Sequence, residues 1–125
     1  MEERSFTDMP VYKITCELAM EIFQITRDFP KDERYSLTDQ ILRSSRSVCS
    51  NIAEGYRKRI YPKHFVMKLS DSDAECSETQ VWINFAFDCG YINFKVKNKL
   101  ENKYQLVGKM LGGMMKSPDK FRPQS

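Results

Sequence analysis

Residues 62–90, with the sequence PKHFVMKLSDSDAECSETQVWINFAFDCG, carry the clearest helical pattern in the chain. Positions suited to one buried face recur along this segment at alternating steps of four and three residues. Such heptad-like spacing favours a long helix that packs against its neighbours in a left-handed bundle. Pro62 suits the first helical position, and Gly90 suits the residue after the last turn. The predicted buried face consists of Phe65, Leu69, Ser72, Cys76, Thr79, Ile83, Ala86 and Gly90.

Two helices are predicted before this segment. An apolar stripe with helical spacing runs along residues 11–29, and Pro30 ends it because proline pushes the preceding residue out of the helical region. A second stripe predicts a helix over residues 36–59, where Ser36 and Asp39 resemble a capping box. Many small residues on this second helix allow a neighbouring helix to approach closely.

A fourth helix is predicted after the segment, over residues 94–116, with Asn93 as its cap. Four long helices with short connections predict an all-α fold, an antiparallel up-down-up-down four-helix bundle. The predicted organisation is an N-terminal extension at 1–9, a bundle domain at 10–116 and a flexible C-terminal tail at 117–125.

The overall composition limits the class of protein. The chain has 125 residues, of which 41% are hydrophobic and 30% charged, and its formal net charge is +3. This is enough apolar material for the core of one domain. The N-terminal MEERSFTDMP lacks the apolar region of a secretory signal, and no stretch reaches the roughly 18 uninterrupted apolar residues of a membrane span. We therefore expect a soluble cytoplasmic protein.

The residues that usually carry catalysis or metal binding are sparse. Cys16, Cys49, Cys76 and Cys89 form no C-x-x-C pair, and His64 is the only histidine. The cysteines are expected to be free thiols that pack as small hydrophobes, and no metal site is expected. No phosphate-binding glycine loop and no Glu-x-x-His motif occurs. We therefore expect no enzyme activity, no cofactor and no small-molecule substrate.

Charge is segregated along the chain. Residues 1–30 have a net charge of −3 and residues 31–70 of +5, whereas residues 71–94 have −5 and residues 95–125 have +6. One interpretation is a set of solvated faces that favour the correct helix neighbours and the correct contacts between copies. The other is a basic surface that attracts phosphate.

The densest basic cluster is YRKRIYPKHF at residues 56–65. Four rings lie among its cations, those of Tyr56, Tyr61, His64 and Phe65, and exposed rings can stack on unpaired bases. The cluster also fits a purely structural role, because cations near a helix end complement its dipole and because Tyr56 and Phe65 suit the core. The candidate nucleic-acid-binding residues are Arg43, Arg46, Arg57, Lys58, Arg59, Lys63 and Lys68.

Two further features of the helices bear on packing. A polar group on one side of the second helix predicts an inter-helix hydrogen-bond network, with a binding site as the alternative. Trp82, next to the seam position Ile83, is a candidate contact between subunits. The polar group consists of Ser47, Ser50, Asn51 and Glu54.

Residues 47–59, SVCSNIAEGYRKR, resemble the S-x-x-S-N-I-A-E-G hallmark of the 23S rRNA-intervening sequence protein family. Members of this bacterial family are encoded in intervening sequences of large-subunit ribosomal RNA genes and also as free-standing genes. The resemblance continues in Phe29 and Pro30 with the following Glu33, and in the helix ending before Gly90. The residues matching the hallmark are Ser50, Asn51, Ile52, Ala53, Glu54 and Gly55.

The resemblance implies a four-helix bundle that assembles as a homopentameric ring and has no established enzyme activity. It also implies a structural role for Asn51, Glu54 and Gly55, with the glycine allowing close helix approach. The family resembles the accessory protein of diversity-generating retroelements, a pentameric bundle that binds nucleic acid. RNA binding is suspected for the family from genomic position.

Two functional hypotheses follow from the sequence. The first is a non-enzymatic oligomeric bundle that binds RNA or DNA through a basic surface, with copies of itself and nucleic acid as its partners and no membrane. The second is a structural or protein-interaction module that has no nucleic-acid ligand.

Overall fold

The structure is a computed structural model, which describes residues 5–123. Within these residues the chain forms four α-helices and no strand, as the sequence predicts. No helix in this part of the chain combines the length and the apolar character needed to cross a membrane. The helices are α1 (Pro10–Thr26), α2 (Leu37–Arg57), α3 (Pro62–Asp88) and α4 (Phe94–Lys116). Short 3-10 turns lie at Phe6–Asp8, Lys31–Glu33 and Pro118–Phe121.

All four helices bury one face in a single core. The predicted face of α3 is confirmed from Phe65 to Ala86, and only its final residue, Gly90, is exposed. Burying a large apolar side chain contributes about 1.5–3 kcal/mol relative to leaving it in water. Fully buried partners from the other helices are Leu18, Ile22, Ile41, Val48, Ile52, Leu100, Tyr104, Val107 and Leu111.

Small hydroxyl side chains occupy several core positions, and two of them, Ser72 and Thr79, belong to the predicted buried face of α3. The Ser72 hydroxyl donates to the Val48 carbonyl at 2.8 Å, and the Thr79 hydroxyl donates to Ser44 Oγ at 2.8 Å. Both bonds join α2 to α3, which pack closely because these side chains are small. Other buried hydroxyls donate to a carbonyl three residues earlier in their own helix, so they cost little to bury. These are Thr15, Thr26, Ser44 and Ser45.

The α3–α4 turn has the predicted cap chemistry at both of its helix ends. Gly90 has a φ of +80°, which only glycine adopts without strain, and Tyr91 N–H donates to the Ala86 carbonyl at 2.8 Å. This pattern ends α3 in a Schellman motif. Asn93 Oδ1 accepts from the Val96 N–H at 2.9 Å and so caps α4. The two caps fix a short connection between the longest helices.

The capping box predicted at the start of α2 is wrong. The Ser36 side chain makes no capping hydrogen bond. Instead the Leu37 N–H donates to Glu33 Oε1 at 3.3 Å, because the 3-10 turn before α2 brings that carboxylate to the helix start. The first helix is also shorter than predicted, since α1 ends at Thr26 and Phe29 is buried outside it.

Side-chain pairs show which parts of the helices lie together. Glu54, late in α2, pairs with Lys68, early in α3, at 2.8 Å between Oε2 and Nζ. Arg43, early in α2, pairs instead with Glu75, later in α3, at 3.2 Å. The Tyr91 hydroxyl donates to Glu33 Oε2 at 2.7 Å and joins the α1–α2 connection to the α3–α4 turn.

Candidate nucleic-acid interface

The turn between α2 and α3 presents three unpaired cations to solvent. Arg57, Lys58 and Lys63 are exposed, and no ion pair among the described residues includes them. The backbone of this turn is fixed, because Lys58 N–H donates to the Gly55 carbonyl and Tyr61 N–H donates to the Lys58 carbonyl, both at 2.9 Å. The turn therefore holds these charges close together on a defined backbone.

Arg59 is positioned differently from its neighbours. Its guanidinium lies over the Tyr56 ring, 3.6 Å from the centroid, and its Nε donates to the Tyr56 carbonyl at 2.9 Å. Tyr56 and Phe65 are buried, so the idea that their rings stack on bases is wrong and their role is in the core. Arg59 contributes positive charge to this surface from a position fixed by the helix end.

Two exposed rings lie beside the cations of the turn. Tyr61 is 60% exposed, and its ring centroid lies 5.8 Å from that of His64, which is also exposed. An exposed aromatic pair in a basic surface offers a flat apolar face to an unpaired base.

The C-terminal turn adds cations that are not among the candidate residues predicted from the sequence. The Phe121 ring lies 5.6 Å from the Phe65 ring and anchors the turn Pro118–Phe121 against the start of α3. Lys120 and Arg122 are exposed there. Two sequence signals mark the anchor, a proline that begins a turn and a lone phenylalanine in a polar segment. Residues 124 and 125 of the predicted tail lie outside the described residues.

These side chains lie at the same end of the helices, and we call this group the basic end. It lies around the α2–α3 turn, the end of α4 and the C-terminal turn, where the Phe65–Phe121 contact joins them. No ion pair of the described residues involves any of its members. The basic end comprises Arg57, Lys58, Arg59, Lys63, Lys116, Lys120 and Arg122.

The structure does not place the other three candidate cations in this surface. Arg43 forms ion pairs with Glu75 and Glu78, and Arg46 lies over the Phe23 ring at 6.0 Å from the centroid. The ion pair of Lys68 with Glu54 raises the pKa of the lysine. Periodicity and local charge could not foresee these partners, because each lies on another helix.

The hallmark segment mainly organises α2 and its contact with α3. A Cβ added to Gly55 would lie 3.2 Å from Lys68 Cβ and 3.7 Å from the Phe65 carbonyl oxygen, so the glycine permits this close approach. The prediction of an inter-helix network is wrong for most of the polar group. Ser50 and Asn51 both bond to Ser47 within α2, and only Glu54 reaches α3.

The cysteines lie in varied surroundings. Burial raises the pKa of the Cys49 and Cys76 thiols to about 12, which keeps them protonated at neutral pH. Cys16 is half-buried and Cys89 exposed, and the structure has all four thiols free. Across residues 5–123 no three side chains of the metal-ligating types come together as a metal site.

Comparisons with known proteins agree with the hallmark. The family model of the 23S rRNA-intervening sequence protein matches residues 7–113. A solved protein of unknown function, from the S23 ribosomal protein family of Bacteroides thetaiotaomicron, is similar in fold with a TM-score of 0.77. It is 24% identical over 85% of this chain and 98% of its own, and no curated protein matches the chain. Because the family model covers most of its length, the chain belongs to the 23S rRNA-intervening sequence protein family.

Proposed function

We propose that the chain is a non-enzymatic, self-associating bundle, with its helices in up-down-up-down order, that binds RNA or DNA through the basic end. The observation that carries the proposal is the gathering of cations at this end, none of which pairs with a carboxylate within residues 5–123. The proposal also places the protein in the bacterial cytoplasm, where RNA and DNA are available to it.

Some lysines elsewhere in the chain are paired with carboxylates. Lys97 pairs with Glu101 at 3.0 Å, and Lys103 pairs with Glu21 at 3.2 Å. The cations of the basic end repel one another, so an external anion lowers the free energy of that surface. A chain of phosphates neutralises many such cations at once and releases its counterions.

Helix dipoles explain only part of this cluster. Arg57 and Lys116 lie in the last turns of α2 and α4, where positive charge is favourable. Lys63 and His64 lie in the first turn of α3, where negative charge is favoured, and that turn has no acidic residue. The cation Lys63 at the start of α3 therefore supports an anionic ligand over a role in helix stability.

The exposed Tyr61–His64 pair supports recognition of unpaired nucleotides. Stacking one base on an aromatic side chain contributes about 1–3 kcal/mol and depends little on base identity. Phosphates beside that base would meet Arg57, Lys58 and Lys63 on the same turn. The preferred ligand is therefore a single strand or a loop.

The direct test is a fluorescence-polarisation titration with a labelled single strand of ribosomal RNA sequence and with DNA of the same sequence. We expect affinity to fall with salt at a log–log slope of about −3, the value for about four phosphate contacts on a single strand. The variant Arg57→Glu/Lys58→Glu should bind roughly tenfold more weakly, with a slope less steep by about 1.4, because two contacts are lost.

A matched control changes the net charge equally in another place. Lys31→Glu/Arg34→Glu alters two exposed cations at the start of α2, about 30 Å along the helix from Arg57. This control should keep its affinity within about twofold, because charges beyond a Debye length of about 10 Å are screened. Absence of binding by the unmodified protein at low salt would refute the proposal. Equal losses in both variants would refute the location.

A second candidate function is a structural or protein-interaction module without a nucleic-acid ligand. The exposed apolar side chains Val81 and Phe85 on α3 favour it, because such patches mark protein contacts. The homopentamer implied by the family resemblance fits either candidate. Light scattering at two salt concentrations separates them, since in this second case salt changes the assembly while no nucleic acid binds.

A further inference from the structure

Helix α3 has a second periodic face, opposite the one it buries. Its residues recur from Met67 to Asp88 at alternating steps of four and three. The large apolar members are uncovered, since Met67 is 62%, Val81 46% and Phe85 53% exposed. A helix with large apolar side chains on two sides normally lies between two layers, yet residues 5–123 supply only one layer against α3. We call this face the outer seam of α3: Met67, Asp71, Ala74, Glu78, Val81, Phe85 and Asp88.

Helix α4 has an equivalent face with the opposite charge. It also follows steps of four and three, lies opposite the buried side of α4, and carries one large exposed apolar residue, Leu106. Lys95, Lys109 and Lys116 on this face belong to no ion pair of the described residues. We call it the outer seam of α4: Lys95, Lys99, Asn102, Leu106, Lys109, Gly113 and Lys116.

We propose that the outer seam of α3 in one copy packs against the outer seam of α4 in the next copy. This inference rests on the self-association in the proposed function, not on nucleic-acid binding, and it names the surfaces that associate. Because the two surfaces differ, the contact is heterologous, and each added copy leaves one seam of each kind free. Repetition of such a contact generates a ring when the rotation closes.

An antiparallel register brings opposite charges of the two seams together at both ends. In a ring whose axis runs along the helices, α3 of one copy and α4 of the next lie side by side in opposite directions, as they do within one chain. Asp88 then faces Lys95, and Asp71 faces the segment between Lys109 and Lys116. In the same register Val81 faces Asn102, and Leu106 lies about 6 Å further along its helix, so the apolar side chains of the two seams are offset by about one turn between the charges at either end.

Other pairings of the exposed faces are less favourable. Packing the outer seam of α3 against itself would bring two rows of carboxylates together around Glu78, and like charges across an interface are unfavourable. The exposed face of α2 is basic but has no exposed large apolar residue to cover Val81 or Phe85. We compared the exposed faces of α2, α3 and α4 within the described residues. Of these, only the pair of α3 with α4 combines opposite charges with exposed large apolar side chains on both faces.

The test is a charge exchange measured by light scattering over a dilution series. Asp71→Lys/Asp88→Lys and Lys95→Glu/Lys109→Glu should each shift the protein to the mass of a single chain. Combining all four substitutions in one chain should restore the wild-type mass, because the charges are again complementary. Phe85→Glu should also dissociate the assembly, whereas Met20→Glu, at an equally exposed residue of α1, should leave it intact.

The outcomes separate this inference from the function on which it rests. A wild-type protein that is monomeric at every concentration overturns both the seam contact and the proposed self-association, while the RNA titration still decides nucleic-acid binding. A wild-type assembly that none of the seam variants alters overturns only the seam contact. Dissociation by the single-face variants without restoration in the four-substitution chain also overturns it. Circular dichroism of each variant shows that the helices are retained.

Discussion

The two ends of the bundle use their polar groups in opposite ways. At the end formed by the α1–α2 connection and the α3–α4 turn, Glu33 accepts the Tyr91 hydroxyl and Lys97 pairs with Glu101. At the basic end, the apolar contact between Phe65 and Phe121 holds the structure, and the cations face outward without carboxylate partners among the described residues. Polar contacts thus hold the first end together, although Lys31 and Arg34 there are also exposed and outside the ion pairs of residues 5–123, whereas an apolar contact holds the basic end.

This difference shows why blocks of charge in a sequence are ambiguous. The −5 block at 71–94 neutralises Arg43 through Glu75 and Glu78, although Arg43 belongs to the same +5 block as Arg57. Only the fold decides which cations of a block meet a carboxylate. Substitutions at the two ends should therefore have different consequences, and three of them test the comparison.

The largest expected effect is on stability at the basic end. Phe65→Ala removes a fully buried ring and its contact with Phe121, and should lower the free energy of unfolding by about 3–5 kcal/mol. Phe94→Ala at the other end removes a 64% exposed ring and should cost about 1 kcal/mol or less. Urea denaturation of both variants measures the two losses. Similar losses would show that the apolar anchor is not special to the basic end.

An intermediate effect is expected on binding alone. Lys120→Glu/Arg122→Glu should weaken RNA or DNA binding by roughly tenfold, because two phosphate contacts are lost. The free energy of unfolding should change by less than about 0.5 kcal/mol, since both side chains are exposed and outside the ion pairs. Polarisation titration and urea denaturation are compared with Lys31→Glu/Arg34→Glu. A loss of stability without a loss of affinity would contradict the contrast between the ends.

The smallest effect is expected at the Tyr91–Glu33 hydrogen bond. The hydrogen bond that the Tyr91 hydroxyl donates to the Glu33 carboxylate raises the pKa of Tyr91 to about 12, above the usual value of about 10. The folded state thus favours the protonated phenol, so this contribution to stability is complete below about pH 10 and is lost as pH rises towards 12. Tyr91→Phe should lower the melting temperature slightly at pH 8, and its difference from wild type should shrink above pH 10.

The control for this prediction is Tyr35→Phe. Tyr35 is 84% exposed, and its hydroxyl has no hydrogen-bond partner within residues 5–123. Melting curves of Tyr35→Phe should therefore follow wild type at every pH. A constant difference between Tyr91→Phe and wild type from pH 8 to pH 11 would exclude the hydrogen bond as its cause.

The sequence predicts the helices well because the buried apolar residues of each helix recur at the helical spacing. Phe65, Leu69 and Ile83 follow the helical period and are buried as expected. The apolar spacing does not predict that Thr15 and Thr26 are buried. They can be buried because each hydroxyl donates a hydrogen bond to a carbonyl of its own helix.

The candidate site is predicted only in part, because its definition depends on contacts between distant segments. The cluster around Arg57 is local and can be seen in the sequence. Lys120 and Arg122 join it through the contact of Phe121 with Phe65, fifty-six residues apart in the chain. Arg43 and Lys68 are excluded by carboxylates on other helices, which neither periodicity nor local composition reveals.

The glycine of the hallmark has a consequence for how relatives of this chain vary. The Cβ of Lys68 lies 3.2 Å from the position that a Cβ at residue 55 would occupy, and the ammonium of the same lysine pairs with Glu54. Residues 54, 55 and 68 therefore behave as one steric and electrostatic unit across two helices. In an alignment of relatives, a larger residue at 55 should be accompanied by a smaller one at 68, and loss of the acid at 54 by loss of the base at 68.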